Sequence, residues 1–413
     1  MSKLSVAEKL SVLADAAKYD ASCASSGARR RDSLGGKGVG STTGAGICHA
    51  YAPDGRCISL LKILMTNYCM FDCAYCVNRI SSNVRRARFT VEEIVALTID
   101  FYKRNYIEGL FLSSGIIGSP DYTMETLARV AQRLREAHDF RGYIHLKTIP
   151  EADPRLIELA GRYADRLSIN VELPSEQSLG ALAPQKRMPT IRRSMAGLRL
   201  KIEDAHDARR KSRKAPLFAP AGQSTQMIVG ADTASDVDIL SSSARLYASY
   251  GLRRVYYSAF SPIPDSSSSL PSQAPPLTRE HRLYQADWLL RYYEFSLDEV
   301  ASATDRGMFD AAVDPKLAWA LANPSHFPVD LNRAPRETLL RVPGLGVRAV
   351  DRLIQARRHT AIRLIDLDRI TRSSRKLRPF IVTADWRPAA DPNPALLREK
   401  LAGAPRQLDL FAA

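Results

Sequence analysis

Between residues 57 and 260 the chain alternates short apolar runs with stretches of helical period, and few folds accept that order. The apolar runs cover 58–65, 110–113, 143–149, 167–173, 225–229 and 255–260. Runs of this kind, with few polar breaks, are expected of strands covered on both faces. Thr90-Val91-Glu92-Glu93 is a capping box, in which a threonine oxygen and a glutamate satisfy otherwise unpaired amides; it opens a helix to about Asn105. Residues 123–138, 153–164, 190–210 and 234–250 continue the helical pattern. Six such β/α units predict an α/β fold, a parallel, partial (β/α)6 barrel with its chemistry at the carboxyl ends of the strands.

A length of 413 residues leaves room for two or three domains. Apolar residues at 45% and charged residues at 25% are ordinary globular values and exclude wholesale disorder. The run 58–65 is interrupted by Ser59 and Lys62 and is too short to span a bilayer. The amphipathic start, with Glu8, Lys9 and Asp15, is not a signal-peptide core. The expectation is a cytoplasmic protein with no membrane partner. Lys plus Arg number 59 against 44 for Asp plus Glu, a net charge of +15. Basic clusters at 29–31, 85–88, 209–214 and 372–378 point to a polyanionic partner, with surface solubility as the plainer alternative.

All six cysteines fall in the first fifth of the chain. Cys69, Cys73 and Cys76 form a C-x3-C-x2-C group just after the first apolar run, hence at the barrel mouth. Three thiolates on one short loop can hold three corners of a 4Fe–4S cube and leave the fourth iron open to an external ligand. The rival is a tetrahedral zinc site completed by Cys48, His49 or Cys57. Cys23, Cys48 and Cys57 read as buried small hydrophobes, with a second cluster as the alternative.

With Tyr75 in place, the group reads C-x3-C-x-aromatic-C and resembles the signature of the radical S-adenosylmethionine (radical SAM) superfamily. The resemblance implies an enzyme with a 4Fe–4S cluster on Cys69, Cys73 and Cys76 and SAM chelating the open iron. It implies a 5′-deoxyadenosyl radical that abstracts a substrate hydrogen, and a reductant such as flavodoxin or ferredoxin. Ser113-Ser114-Gly115 stands where the superfamily often carries a Gly-Gly-Glu stretch for the SAM amino group, but the acidic residue is missing. Lys147, Ser168, Asn170 and Glu172 are polar within apolar runs, and the last three share a face by their spacing of two. They are candidate SAM contacts, with structural hydrogen bonds as the alternative. Gly230, in Val229-Gly230-Ala231-Asp232, resembles the glycine stretch near the adenine, while Tyr256, Tyr257 and Phe260 either stack there or pack a helix. Residues 20–47, rich in Ser, Gly and Ala, lack a complete phosphate-loop pattern and read as a mobile cover over the cluster.

Pro262-Ile263-Pro264-Asp265, four serines and then Pro271, Pro275 and Pro276 read as a linker. The expected organisation is 1–56 as a first helix and Gly/Ser-rich segment, and 57–261 as the barrel. A linker follows at 262–277, then an all-α domain at 278–387 and a tail at 388–413. Within the α domain, Leu339-Leu340-Arg341-Val342-Pro343-Gly344-Leu345-Gly346-Val347-Arg348-Ala349 resembles a helix–hairpin–helix, a DNA-binding module. Its glycines permit a tight turn close to a phosphate, and the next helix begins there with its free amides. Pro343, Gly344, Leu345, Gly346, Arg348 and Arg352 are the expected nucleic-acid contacts, with protein docking or internal packing as the alternative.

The tail peptide Gln407, Leu408, Asp409, Leu410, Phe411 resembles the segment by which bacterial replication and repair proteins dock on the sliding clamp. Together these features resemble a bacterial family of radical SAM proteins with a helix–hairpin–helix, described as DNA modification or repair proteins and associated with a uracil-DNA glycosylase-like companion. The resemblance implies an enzyme that binds DNA and modifies or repairs a nucleotide. An RNA-modifying radical SAM enzyme and a non-enzymatic Fe–S DNA-binding redox sensor are the alternatives.

Overall fold

The computed structural model describes residues 4–17, 47–51, 57–263, 267–371, 374–388 and 394–402. Cys23, most of the Gly/Ser-rich segment and the peptide at 407–411 lie outside these residues. By its contacts the chain divides into two units: 1–233 with 245–275, and 234–244 with 276–413.

The first unit is built on a seven-stranded sheet in the order β1 to β7. After α1 (Val6–Ala17) come β1 (Ile47–Tyr51), β2 (Cys57–Leu64), α2 (Val91–Lys103), β3 (Gly109–Ser113) and α3 (Pro120–His138). Next are β4 (Tyr143–Lys147), α4 (Pro154–Tyr163), β5 (Arg166–Ser168), α5 (Glu176–Leu182), α6 (Met188–Lys211) and β6 (Gln223–Val229). α7 (Asp236–Tyr250), which crosses the division, and β7 (Arg254–Ala259) complete the set. β2 to β7 are parallel, as the repeated strand–helix order requires. The sequence pattern did not announce β1, which pairs antiparallel with β2. Cys48 on β1 packs with Leu60 and Phe111, which agrees with its reading as a buried small hydrophobe.

Local signals explain where the helices start. α2 has the expected capping box, and the Glu93 carboxylate that completes it also takes the Lys9 ammonium of α1 at 2.7 Å. Ser119 and Asp153 cap α3 and α4, each followed by a proline at the first helical position.

The fifth strand is shorter than its apolar run predicted. After Ser168 the Val171 amide donates to the Thr225 hydroxyl at 3.0 Å rather than to a ladder carbonyl. Glu172 then takes a positive φ of 64° and itself forms a single bridge to Met227. The spacing-of-two argument for Ser168, Asn170 and Glu172 assumed a continuous strand, and this break corrects it.

The second unit holds α8 (Leu277–Tyr292), α9 (Leu297–Ala301), α10 (Pro315–Ala322), α11 (Arg336–Arg341) and α12 (Val347–Ala356). α13 (Leu367–Ile370), α14 (Ser374–Leu377) and α15 (Pro394–Ala402) follow. It is not all-α: β8 (Val329–Asp330) and β9 (Ile381–Val382) form a two-stranded parallel sheet. Leu339, Leu340, Val342, Leu345, Val350 and Leu353 are all buried in one core with Trp319 and Phe380. Each such burial is worth about 1.5–3 kcal/mol, which anchors the α11–α12 turn from inside. Among the described residues no helix is long and apolar enough to cross a membrane.

Candidate active site

The parallel register aligns strand ends on one edge of the sheet: Leu64 with Ser113, Lys147 with Ser168, and Val229 with Ala259. The loops after these ends meet there, and the cysteine loop is the first of them. Three neighbours brace it. The Met70 amide donates to the Ile116 carbonyl at 2.8 Å and the Ala74 amide to Leu182 at 2.7 Å. On the third side Arg86 donates to the carbonyls of Asn78 (2.9 Å), Arg79 (2.6 Å), Ser82 (2.9 Å) and Asn67.

Within the basic group 85–88, that last contact turns Arg86 toward the fold. A guanidinium with five donors is suited to gathering carbonyls, and Arg86 is spent on the fold. Arg88 lies 5.5 Å over the Tyr122 ring, and Arg85 reaches Glu8 at 3.5 Å. In the 209–214 cluster, Arg210 pairs with Asp207 at 2.6 Å and Arg209 donates to Ala215 at 2.8 Å.

The three thiols differ in their settings. The Cys69 Sγ accepts from the Phe71 and Ile116 amides, each at 3.5 Å, and hydrogen bonds to sulfur of this kind tune a cluster. Burial pushes the Cys73 thiol up to about 11 and the Cys76 thiol up to about 12; Cys69 adds to the rise at both, and Cys73 to that at Cys76. A bound metal reverses that cost, because a coordinated thiol is deprotonated outright. Among the described residues no three His, Cys, Asp or Glu side chains converge on a single metal ion. A cube takes each thiolate on a different iron and so needs donors spread around it, which a three-cysteine loop supplies.

Beside the thiols lies a buried ion pair that the sequence did not disclose, Lys186 to Glu172 at 2.5 Å. Burial alone would lower the Lys186 ammonium, but Glu172, Tyr75 and Cys73 together outweigh it and hold it well above its ordinary value. Around this pair stand the Tyr75 hydroxyl, both Glu151 carboxylate oxygens and the Asn170 Oδ1, all buried and without a hydrogen-bond partner among the described residues. Asn170 Nδ2 is 3.5 Å from Glu172, while Tyr75 and Glu151 both feel the charges of Glu172 and Lys186. Burial pushes the Glu151 carboxyl up. Buried polar atoms left unpaired are rare in folded proteins, and three groups at one ion pair mark the place of a polar ligand.

Of the expected SAM contacts, Asn170 and Glu172 therefore lie in this cluster. Lys147 adjoins it, donating to Gln226 at 2.9 Å, and Gln226 is 3.5 Å from Asn170. Ser168 is instead committed to the His145 ring at 3.0 Å. Ser113 is a buried strand residue whose carbonyl accepts from Met65 at 2.8 Å, and the Ser114 hydroxyl bonds the Gly115 carbonyl at 2.6 Å. A Cβ at Gly115 would collide with the Tyr68 carbonyl oxygen, so this glycine lets the β3 loop press on the cysteine loop. Gly230 follows β6 at φ +79°, and Tyr257 and Phe260 are core residues. Lys186, Glu151 and Arg86 sit in loops with no local signal; only the folded register reveals them.

In the second unit Pro343 and Leu345 are buried, so they shape the turn rather than present side chains. Gly344 takes φ +85°, and Gly346 caps α12 with no side-chain hydrogen bond. Arg348 and Arg352 are exposed on α12.

A half-open α/β sheet with three thiols at its carboxyl edge puts them where parallel α/β barrels carry their chemistry. Residues 63–236 match the family model of the radical SAM superfamily. This part of the chain is accordingly similar to the radical SAM domain, the domain of enzymes that use a 4Fe–4S cluster and S-adenosylmethionine. No curated protein matches the chain.

Among solved structures it is similar to the FeFe-hydrogenase maturase HydG, at 14% identity and TM-score 0.41 over 55% of this chain and 48% of that one. HydG from Carboxydothermus hydrogenoformans gives 14% and 0.42 over 55% and 51%. Methylornithine synthase PylB gives 17% and 0.37 over 49% and 54%. The chain spans about half the length of these structures.

Proposed function

We propose that the chain is a radical SAM enzyme whose substrate is DNA, held through a helix–hairpin–helix made by α11, the turn at 342–346 and α12. The observation that carries this reading is the turn itself. Gly344 needs its positive φ, but Gly346 at φ −83° does not, and a Cβ there would meet only the Tyr293 hydroxyl at 3.7 Å. The fold leaves room for a side chain at a helix start that lacks a side-chain cap, and the close approach of a phosphate supplies a reason to keep it bare. Exposed Arg348 and Arg352 on the same helix extend the positive field along a backbone.

Cys69, Cys73 and Cys76 would hold the cluster, which with bound SAM supplies a 5′-deoxyadenosyl radical able to abstract an unactivated hydrogen. The residues of the chain supply position and shelter. Arg86, Ile116 and Leu182 fix the thiol loop. The Lys186–Glu172 pair offers a charge of each sign to a zwitterionic ligand, and Tyr75, Asn170 and Glu151 offer it hydrogen bonds. Their burial keeps water from a reactive species.

The test is anaerobic reconstitution followed by dithionite, SAM and matched DNA and RNA oligonucleotides, with 5′-deoxyadenosine read by mass spectrometry. DNA should stimulate its formation severalfold in the wild type and not in Cys73→Ala. Stimulation by RNA alone would transfer the substrate to RNA. SAM left intact by the cluster-loaded protein with every oligonucleotide would favour a redox sensor.

A further inference from the structure

Beside the hairpin turn lies a cleft of about 220 Å³ that the proposed function does not use. It is lined by Gln285 and Trp288 of α8, Tyr293, Asp314 and Lys316, and by the turn residues 344–346 themselves. Trp288 is 47% exposed, an unusual place for the largest apolar side chain, while its helix neighbour Leu289 is buried in the core. The Trp288 ring meets the edge of Tyr292, at 6.4 Å and 88°, an edge-on contact that does not cover the indole face as a stacked ring would.

The opposite side of the cleft is rigid. Lys316 is buried, donates to the Leu345 carbonyl at 2.7 Å and lies 4.6 Å over the Tyr293 ring. The Tyr293 hydroxyl accepts from the Val347 amide, the first residue of α12. Lysine and tyrosine thus fasten the turn from behind, and the cleft opens onto the residues where a phosphate would rest. Asp314 and Gln285 complete the lining with groups held by the fold: Asp314 caps α10, accepting from the Leu317 amide at 3.0 Å, and the Gln285 carboxamide oxygen accepts from Arg282 at 2.8 Å.

We propose that this cleft takes one unpaired nucleobase, stacked on Trp288, from the nucleotide whose phosphate sits at the turn. The proposal rests on the nucleic-acid reading of the hairpin and narrows it to a substrate with unpaired or flipped-out bases. In a duplex the face of a base is covered by its neighbours, so only single strands and extruded bases can stack on a side chain. The cleft suits one base in size, and an aromatic face beside a backbone site is how strands are held without sequence preference.

The full-length protein should be titrated by fluorescence anisotropy with a labelled single strand, its duplex, and the same strand with abasic residues replacing its bases. The single strand should bind about tenfold more tightly than either of the others. Trp288→Ala should lose that increment on the normal strand alone, and Trp288→Phe should restore most of it. Circular dichroism of both variants keeps misfolding apart from lost stacking, and the Phe variant decides the matter if the Ala variant is unfolded. Equal binding of normal and abasic strands, or an unchanged affinity in folded Trp288→Ala, overturns the base cleft while leaving the hairpin reading intact. No salt-dependent binding of any of the three polymers by wild-type protein overturns both.

Discussion

The thiol loop of the first unit and the hairpin turn of the second use the same residue types to opposite ends. At the thiol loop, Gly115 is bare because the chain itself fills the space, with the Tyr68 carbonyl where a Cβ would be. At the hairpin, Gly346 is bare although the chain leaves room for a Cβ. Arg86 turns inward onto four carbonyls, whereas Arg348 and Arg352 stand exposed. One region is closed by its own residues around a buried polar site. The other is complete as a fold and unfinished as a surface. The difference separates residues that build a site from residues that wait for a partner, a distinction that residue type alone does not carry.

Substitution sharpens that contrast. Gly115→Ala should have the largest effect, because backbone must move: a loss of about 4 kcal/mol in stability and iron content near zero after reconstitution. Retention of a full cluster would mean that the β3 loop does not brace the thiols. Arg86→Met should follow, at about 3 kcal/mol by urea unfolding, since it strands several carbonyls at once. Gly346→Ala should cost less than about 1 kcal/mol in stability yet weaken DNA binding about tenfold. Arg348→Ala should leave the melting temperature alone and reduce the slope of log K against log salt by about 0.9. If Gly346→Ala binds DNA normally, the comparison fails on its second side.

How much of this was legible beforehand follows the same division. The apolar runs and caps located all six parallel strands, because strands buried on both faces and capped helices are local signals. The thiols and the hairpin glycines were visible as spacing. β1 was hidden because an antiparallel edge strand of five residues beside a glycine-rich stretch has little pattern of its own. Glu172 was found for a wrong reason: its strand ends early, and what places it is a positive φ and a lysine 14 residues on. Lys186, Glu151 and Arg86 could not be found, since a charge in a loop looks alike whether it faces water or a neighbour. The same holds within the basic group 85–88, where Arg86 is turned onto backbone carbonyls.

Two buried lysines carry the contrast to its last test. Lys186 lies against Glu172 and is held well above its ordinary value, so its charge persists across the neutral range and adds no slope there. Lys316 rests on a carbonyl and an aromatic face, and burial pushes it down to about 7, with Asp314 opposing that shift and Arg341 adding to it. Below pH 7 both the folded and the unfolded chain hold the Lys316 proton, and the fold bears the whole cost of a buried charge. Between about 7 and the unfolded value near 10.5 the folded chain has released the proton and the unfolded chain still binds it. Stability should therefore rise with pH across that window. The urea midpoint should increase from pH 6 to pH 9 in the wild type, and Lys316→Met should flatten this rise while raising the midpoint at pH 6. A wild-type midpoint that does not climb would mean that the Leu345 carbonyl and the Tyr293 ring keep the ammonium charged. The hairpin would then be pinned by a fixed cation, as the thiol site is.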